Sequence, residues 1–301
     1  MTSEILLESG TNELEILEFT VGTNHYGINV AKVKEILQYK TPTPVPNAHP
    51  AIEGIFMPRD EIISIVDLAE CLKMPKSQNT VQDMYVLTNF NKINVAFHVH
   101  SVVGIHRVSW EDIVKPDSTI NSEGNGLATG IVKLDQKLII ILDFEKIVAN
   151  ISPETGLKVS DIDHLLNRKR NELPILISED SQLLSTLITE CLHKAGYSNI
   201  IVTANGKEAW DKLQTFKSAG NVSSKVACII TDIEMPQMDG HRLTKLVKGD
   251  PVLKEIPVVI FSSLISDEMR RKGEALGADA QLSKPEIGEL VETIDGILGT
   301  K

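Results

Sequence analysis

From Pro174 onward, short apolar runs alternate with amphipathic stretches, and this alternation restricts the second half of the chain to very few folds. Ile175-Leu176-Ile177 precedes a segment with Leu183, Leu184, Leu187, Ile188, Cys191 and Leu192 on one helical face, and Ile200-Ile201-Val202 follows. Further apolar runs lie at 226–230, 258–261 and 280–282, separated by helical patterns around Trp210, around Leu243 and Leu246, and over 267–276, with a last one over 286–298. Strands joined by helices run parallel, because each crossover returns the chain to the same edge. The pattern therefore predicts an α/β doubly wound sheet of five strands.

Four pieces of sequence close these strands: Glu179-Asp180, Asp232, Ser262 and Lys284-Pro285. An open parallel sheet binds its ligands at that carboxyl edge. One Asp or Lys at a strand end reads as a solvated cap, but four such pieces closing four separate strands read as one site. Three carboxylates in one crevice repel each other, and the simplest remedy is a hard divalent cation, Mg²⁺. Lys284 adds a compact positive charge and Ser262 a hydroxyl, a set suited to the charge on a transferring phosphoryl group. Asp232 is then the nucleophile, and the product is an acyl phosphate. A phosphatase using an Asp-x-Asp pair is a rival for Asp232-Ile233-Glu234, but that motif closes the first strand of a larger fold and Asp232 follows the third. Pro285 suits a cis bond that would aim the Lys284 amine inward.

These pieces, in this order, resemble the receiver domain of two-component response regulators over about residues 173–301. The resemblance implies the flavodoxin-like strand order 2-1-3-4-5. It makes Asp232 the phosphorylation site and Glu179 and Asp180 metal carboxylates. Glu234 would lend its main-chain carbonyl to the Mg²⁺, and Ser262 and Lys284 would sense the phosphoryl group. Two positions depart from the common pattern. Gln281 stands where many receivers carry Phe or Tyr, and Glu234 places an extra carboxylate beside the acceptor, where it would hinder or orient attacking water.

Residues 13–150 lack long helices. Leu17, Phe19 and Val21 alternate with Glu18 and Thr20, and after a polar stretch at 22–25 Tyr26, Ile28 and Val30 alternate again, a hairpin signature. Short strands are expected at 62–68, 84–90, 93–99, 131–134 and 138–142, with turns at Asn91-Lys92 and Asp135-Gln136, as in small barrels. Pro42, Pro44, Pro46 and Pro50 mark a loop. Ser3 to Leu7 suits a helical turn or two, and 159–166 a short helix. His98 and His100 have the i,i+2 spacing of a metal pair, yet no nearby Cys or acid in the sequence completes a set, so they read as structural. Trp110 reads as packing.

Phe19-Thr20-Val21-Gly22, Tyr26-Gly27-Ile28-Asn29-Val30, Val33-Lys34-Glu35-Ile36-Leu37, Val45-Pro46-Asn47-Ala48 and Ile62 to Leu68 together resemble the CheW-type coupling domain of bacterial chemotaxis. That resemblance implies two small five-stranded SH3-like barrels that bridge chemoreceptor tips to a histidine kinase. Where family members commonly read Asn-Leu-Arg-Gly, this chain reads Met57-Pro58-Arg59-Asp60, so only Arg59 carries over, as a partner contact or a solvated surface residue. A coupling domain (1–150), a linker (151–172) and a receiver (173–301) resemble the CheV-type coupling proteins. The resemblance implies a chemotaxis adaptor, partnered by the chemotaxis histidine kinase and methyl-accepting chemoreceptors and regulated at Asp232. The alternative is a phosphate sink for that kinase.

Composition restricts the remaining classes. The net charge is −11 and both halves are acidic, which speaks against a nucleic-acid or anionic-membrane surface. The expected end of the chain at Lys301 leaves no DNA-binding module, and no substrate pocket beyond the acceptor implies a separate enzyme. No apolar run approaches the ~18 residues of a membrane span, the start lacks a basic leader, and three scattered cysteines fit a reducing compartment. The expected location is cytoplasmic, at membrane-associated receptor arrays.

Overall fold

The computed structural model describes residues 12–91, 93–116, 126–134, 137–152, 170–284 and 286–299. The chain divides into two compact units: Leu14–Thr155, and Gly156–Lys301 together with Met1–Glu13.

The first unit holds β1 (Glu13–Val21), β2 (Asn24–Asn29), β3 (Val33–Gln38), β4 (Ile52–Phe56), β5 (Ile63–Asp67), α1 (Leu68–Cys71), β6 (Met84–Phe90), β7 (Ile93–Val99), β8 (Ser101–Ser109), β9 (Ala128–Leu134), β10 (Lys137–Leu142) and α2 (Phe144–Ile151). They form two five-stranded sheets, ordered β8-β1-β2-β10-β9 and β3-β6-β7-β5-β4. The expected hairpin is β1–β2, with Leu17 opposite Ile28 and Phe19 opposite Tyr26. Leu17, Phe19 and Val21 enter a core shared with Phe97 and Phe144, while Leu14 and Ile16 on the opposite face enter a second core with Trp110 and Ile139. β1 is thus buried on both faces, and its Glu18 is buried with them. The proline-marked stretch is a loop, held by Thr43, which exchanges two 2.9 Å backbone bonds with Ile55. Gly54 admits this approach: a Cβ there would lie 2.4 Å from the Thr43 carbonyl oxygen.

The second unit alternates β11 (Ile175–Ser178), α3 (Gln182–Lys194), β12 (Ile200–Thr203), α4 (Gly206–Ser218), the short α5 (Val222–Lys225), β13 (Cys228–Thr231), α6 (Gly240–Gly249), β14 (Val258–Ser262), α7 (Asp267–Ala275), β15 (Ala280–Ser283) and α8 (Ile287–Leu298). All strand pairs are parallel and the order is β12-β11-β13-β14-β15, the expected 2-1-3-4-5. Every residue of β11, β13 and β14 is buried, as befits strands covered on both faces. Ile175 and Ile177 pack with Leu192 and Leu290 on one side, and Leu176 with Leu213 and Leu243 on the other. Each such side chain contributes about 1.5–3 kcal/mol by leaving water.

The expected helices at Ser3–Leu7 and 159–166, the turn at Asp135-Gln136, Lys92 of the other turn, and the cis bond at Pro285 fall outside the described residues. Among the described residues no helix is long and apolar enough to cross a membrane. Three strands escaped the periodicity argument: β3, β4 and β8.

Candidate functional site

The ladder continues past the strand ends and carries the site with it. Glu179 N–H donates to the Thr203 carbonyl at 3.1 Å, Asp232 N–H to Ser178 at 3.0 Å, and Lys284 N–H to Ser262 at 3.2 Å. Backbone pairing therefore brings these residues to one edge before any side chain interacts. There, ligand oxygens of Glu179, Asp180 and Asp232 lie within 4.8 Å of one another. Lys284 Nζ donates to Asp232 Oδ2 at 2.6 Å and lies 3.1 Å from Glu179 Oε2.

The Lys284 ammonium faces Asp232 and Glu179, and Asp180 adds a third carboxylate beside them. Glu179 Oε1 accepts from the Ser181 N–H at 3.1 Å, whereas its buried Oε2, though within ion-pair reach of Lys284, receives no hydrogen bond. Burial pushes the Glu179 carboxyl well above its ordinary range; Lys284 opposes this, and Asp232 and Asp180 reinforce it. Three clustered carboxylates, one with a buried oxygen that receives no hydrogen bond, fit a hard divalent cation such as Mg²⁺.

Asp232 is pinned at both oxygens, because its Oδ1 accepts from the Ile233 N–H at 2.6 Å. The chain then folds back sharply, and Gly240 N–H reaches the Ile233 carbonyl at 3.0 Å. Only glycine fits at 240, where a Cβ would sit 1.9 Å from the Asp232 carbonyl oxygen. Asp239 caps α6 by accepting from the Arg242 N–H at 2.6 Å.

Glu179, Asp180, Asp232 and Lys284 thus meet side chain to side chain. Ser262, fully buried, reaches the group through its backbone bond with Lys284, while its hydroxyl accepts from the Leu264 N–H at 3.3 Å. Glu234 is half-buried on the loop after Asp232 and lies outside the acidic cluster. Arg59 lies in the other unit, on the β4–β5 turn, where it pairs with Glu35 at 2.6 Å. Gln281 is buried under α7: its Nε2 donates to the Arg270 carbonyl at 2.7 Å, its Oε1 has no partner, and Gly273 leaves the room it occupies.

Sequence reasoning missed the acids around His98. Its Nδ1 lies 3.0 Å from Glu53 and its Nε2 3.0 Å from Asp83, partners 45 and 15 residues away. Two carboxylates hold the histidine from either side, and the structure corrects the premise that no acid lies nearby. A second missed group surrounds Glu18: Lys137 Nζ donates to both its oxygens at 2.6 and 2.8 Å, and His25 and His106 lie 2.5 Å away on either side. The available signal was a Glu between Leu17 and Phe19 in a strand buried on both faces.

Residues 15–152 match the CheW-like domain and residues 175–295 the response regulator receiver domain. The chain is 31% identical over 300 residues to chemotaxis protein CheV3 of Helicobacter pylori, covering 95% of each chain. It is 28% identical over 306 residues to CheV2 of the same organism, covering 94% of each. It also matches the sensor histidine kinase CheAY of that organism at 26% identity over 245 residues, covering 78% of this chain and 29% of that one. The CheW-like and receiver matches in one chain, with full-length similarity to CheV3, show that the chain belongs to the CheV family of chemotaxis proteins.

Proposed function

We propose that this protein is a chemotaxis adaptor whose coupling domain, residues 1–150, bridges chemoreceptors and their histidine kinase, and whose receiver, residues 173–301 after a linker at 151–172, adjusts that coupling when Asp232 is phosphorylated. The observation that carries the reading is the convergence of Glu179, Asp180, Asp232 and Lys284 at one sheet edge, in a chain whose other half is CheW-like.

An Asp232 carboxylate oxygen attacks the phosphorus of the kinase's phosphohistidine. The P–N bond breaks, an acyl phosphate forms, and the imidazole leaves with the electron pair. Glu179, Asp180, Asp232 and the Glu234 main-chain carbonyl would hold Mg²⁺, which when bound supplies positive charge to the phosphoryl oxygens. Lys284, 2.6 Å from Asp232 in the unmodified site, would move its ammonium to a phosphoryl oxygen, and Ser262 would offer its hydroxyl. Loss of the Lys284–Asp232 pair is then the first structural consequence of phosphorylation.

Reconstitution of receptor, kinase and this protein, with and without a phosphoryl donor, tests the adaptor reading. Kinase activity that depends on this protein and shifts on its phosphorylation supports it; activity indifferent to both states sinks it. A phosphate sink is the second reading, favoured by the fastened Gln281 amide where a mobile aromatic ring would report phosphorylation. An Asp232→Ala protein that supports normal adaptation but prolongs signalling selects the sink.

A further inference from the structure

The loop that follows Asp232 is braced by a residue more than two hundred positions away. Asn12 Nδ2 donates to the Gln237 carbonyl at 2.9 Å, and Asn12 Oδ1 accepts from the Asp239 N–H at 3.0 Å. Both residues belong to the same compact unit. The amide spans a carbonyl and an N–H two residues apart, pairing with the loop as a neighbouring strand would. Asn12 is buried, and it adopts a left-handed backbone, φ 67°, that Asn tolerates better than most residues. Gln237 is also left-handed, φ 66°, so the loop is tightly turned where the amide grips it.

The grip bears on the acceptor through a short path. The braced loop starts at Ile233, whose N–H holds Asp232 Oδ1, and ends at Asp239, which caps α6. It is closed by the Gly240–Ile233 bond and tied to α4 by Gly206 N–H on the Met238 carbonyl at 3.1 Å. With Lys284 on Oδ2, both oxygens of Asp232 are engaged. Attack on phosphorus through Oδ1 would turn the oxygen that the Ile233 N–H holds into a weakly accepting ester oxygen, and so act on the loop behind Ile233.

We infer that Asn12 is a positioning residue for Asp232: by bracing residues 237–239 it holds the acceptor loop in its unphosphorylated arrangement and slows phosphoryl uptake. The inference rests on the reading of Asp232 as the acceptor. Because coupling is reciprocal, what weakens the brace favours phosphorylation, and phosphorylation weakens the brace.

The test uses the full chain, Mg²⁺ and acetyl phosphate; the donor's P–O bond breaks, an Asp232 Oδ–P bond forms, and acetate leaves. Asn12→Ala is expected to label about 3–10-fold faster than wild type, the worth of two modest hydrogen bonds. Asn12→Asp, which keeps the acceptor for Asp239 but sets a carboxylate oxygen against the Gln237 carbonyl, should also label faster than wild type and supplies a second variant with the side-chain volume retained. A second readout lies outside a merely structural role: with Mg²⁺ and beryllium fluoride as phosphoryl mimic, the Asp239 amide should exchange with solvent faster in wild type, approaching its rate in unliganded Asn12→Ala. Wild-type labelling rates in both Asn12 variants, with Asp232→Ala unlabelled, would overturn the inference and leave the acceptor reading standing. Undiminished labelling of Asp232→Ala would overturn both.

Discussion

The two units each bury a group of charged side chains, and the groups are balanced in opposite ways. In the coupling unit one carboxylate, Glu18, is held by the Lys137 ammonium and flanked by two imidazoles. Burial pushes Glu18 up, but the bonds from Lys137, His106 and His25 outweigh it and hold the carboxyl below its ordinary range. In the receiver the Lys284 ammonium lies against Asp232 and Glu179 with the Asp180 carboxylate beside them, and Glu179 is driven the other way. A satisfied charge group fastens a fold; a crowd of carboxylates stores unfavourable energy that a cation relieves. Strand pairing assembles both groups, so the difference lies in how many carboxylates each brings together.

The comparison is most sharply tested by removing one acid from each group. Asp232→Asn is expected to abolish phosphoryl labelling while raising the receiver's stability by about 1 kcal/mol, since one of three repelling carboxylates becomes neutral. Glu18→Gln should do the reverse, destabilising the coupling unit by about 3 kcal/mol, because Lys137 loses the charge it was positioned to meet. Urea denaturation of the full chain, followed separately for each unit, measures both. Equal signs for the two variants would dissolve the distinction.

The acid–amine site was legible because its residues close strands whose apolar runs are continuous. Ile175-Leu176-Ile177 before Glu179, and Cys228-Ile229-Ile230 before Asp232, announce both the strand and the place where it ends. The coupling unit's groups were not legible. Glu53, Asp83 and His98 sit on segments that become neighbours only through the order β6-β7-β5-β4, and no local pattern encodes that order. β8 hid for a related reason: Val103 and Ile105 are exposed, so the alternation does not mark a core face. Glu18 was legible as a residue but not as a buried one, because alternation with apolar neighbours reads as a wet face until both faces prove to be covered.

His98 extends the comparison to pH. Burial lowers its affinity for a proton, but Glu53 and then Asp83 outweigh this and raise its pKa above 6.5. A raised folded-state pKa contributes stability that is fully present below the unfolded value and is lost as pH rises through the folded one. The coupling unit should therefore weaken from about pH 6.5 upward, and His98→Gln should flatten that slope while costing about 2 kcal/mol at pH 6, the worth of charge-assisted bonds. An unchanged slope in the variant would assign the pH dependence elsewhere. In the receiver, Glu234→Ala should change the dephosphorylation rate of Asp232 several-fold with little effect on stability. An identical acyl-phosphate lifetime would show that this fourth acid is a bystander to the cluster.

The smallest effect is expected where opposite charges meet without burial. Arg59 and Glu35 lie 2.6 Å apart, closer than His98 is to either of its acids, yet the Arg59 side chain is 80% exposed. Water screens such a pair, and holding the long side chain in place costs entropy, so Arg59→Ala should change the coupling unit's stability by less than about 0.5 kcal/mol. Ala keeps the left-handed backbone requirement at this position, φ 54°, so the turn is strained to the same degree in both proteins. That near-neutrality makes the variant useful. If kinase coupling falls tenfold while the urea midpoint stays fixed, the lost free energy belongs to a partner contact made by the guanidinium. If coupling and midpoint are both unchanged, Arg59 is a solvated surface residue, and the engagement of partners lies elsewhere on the CheW-like unit.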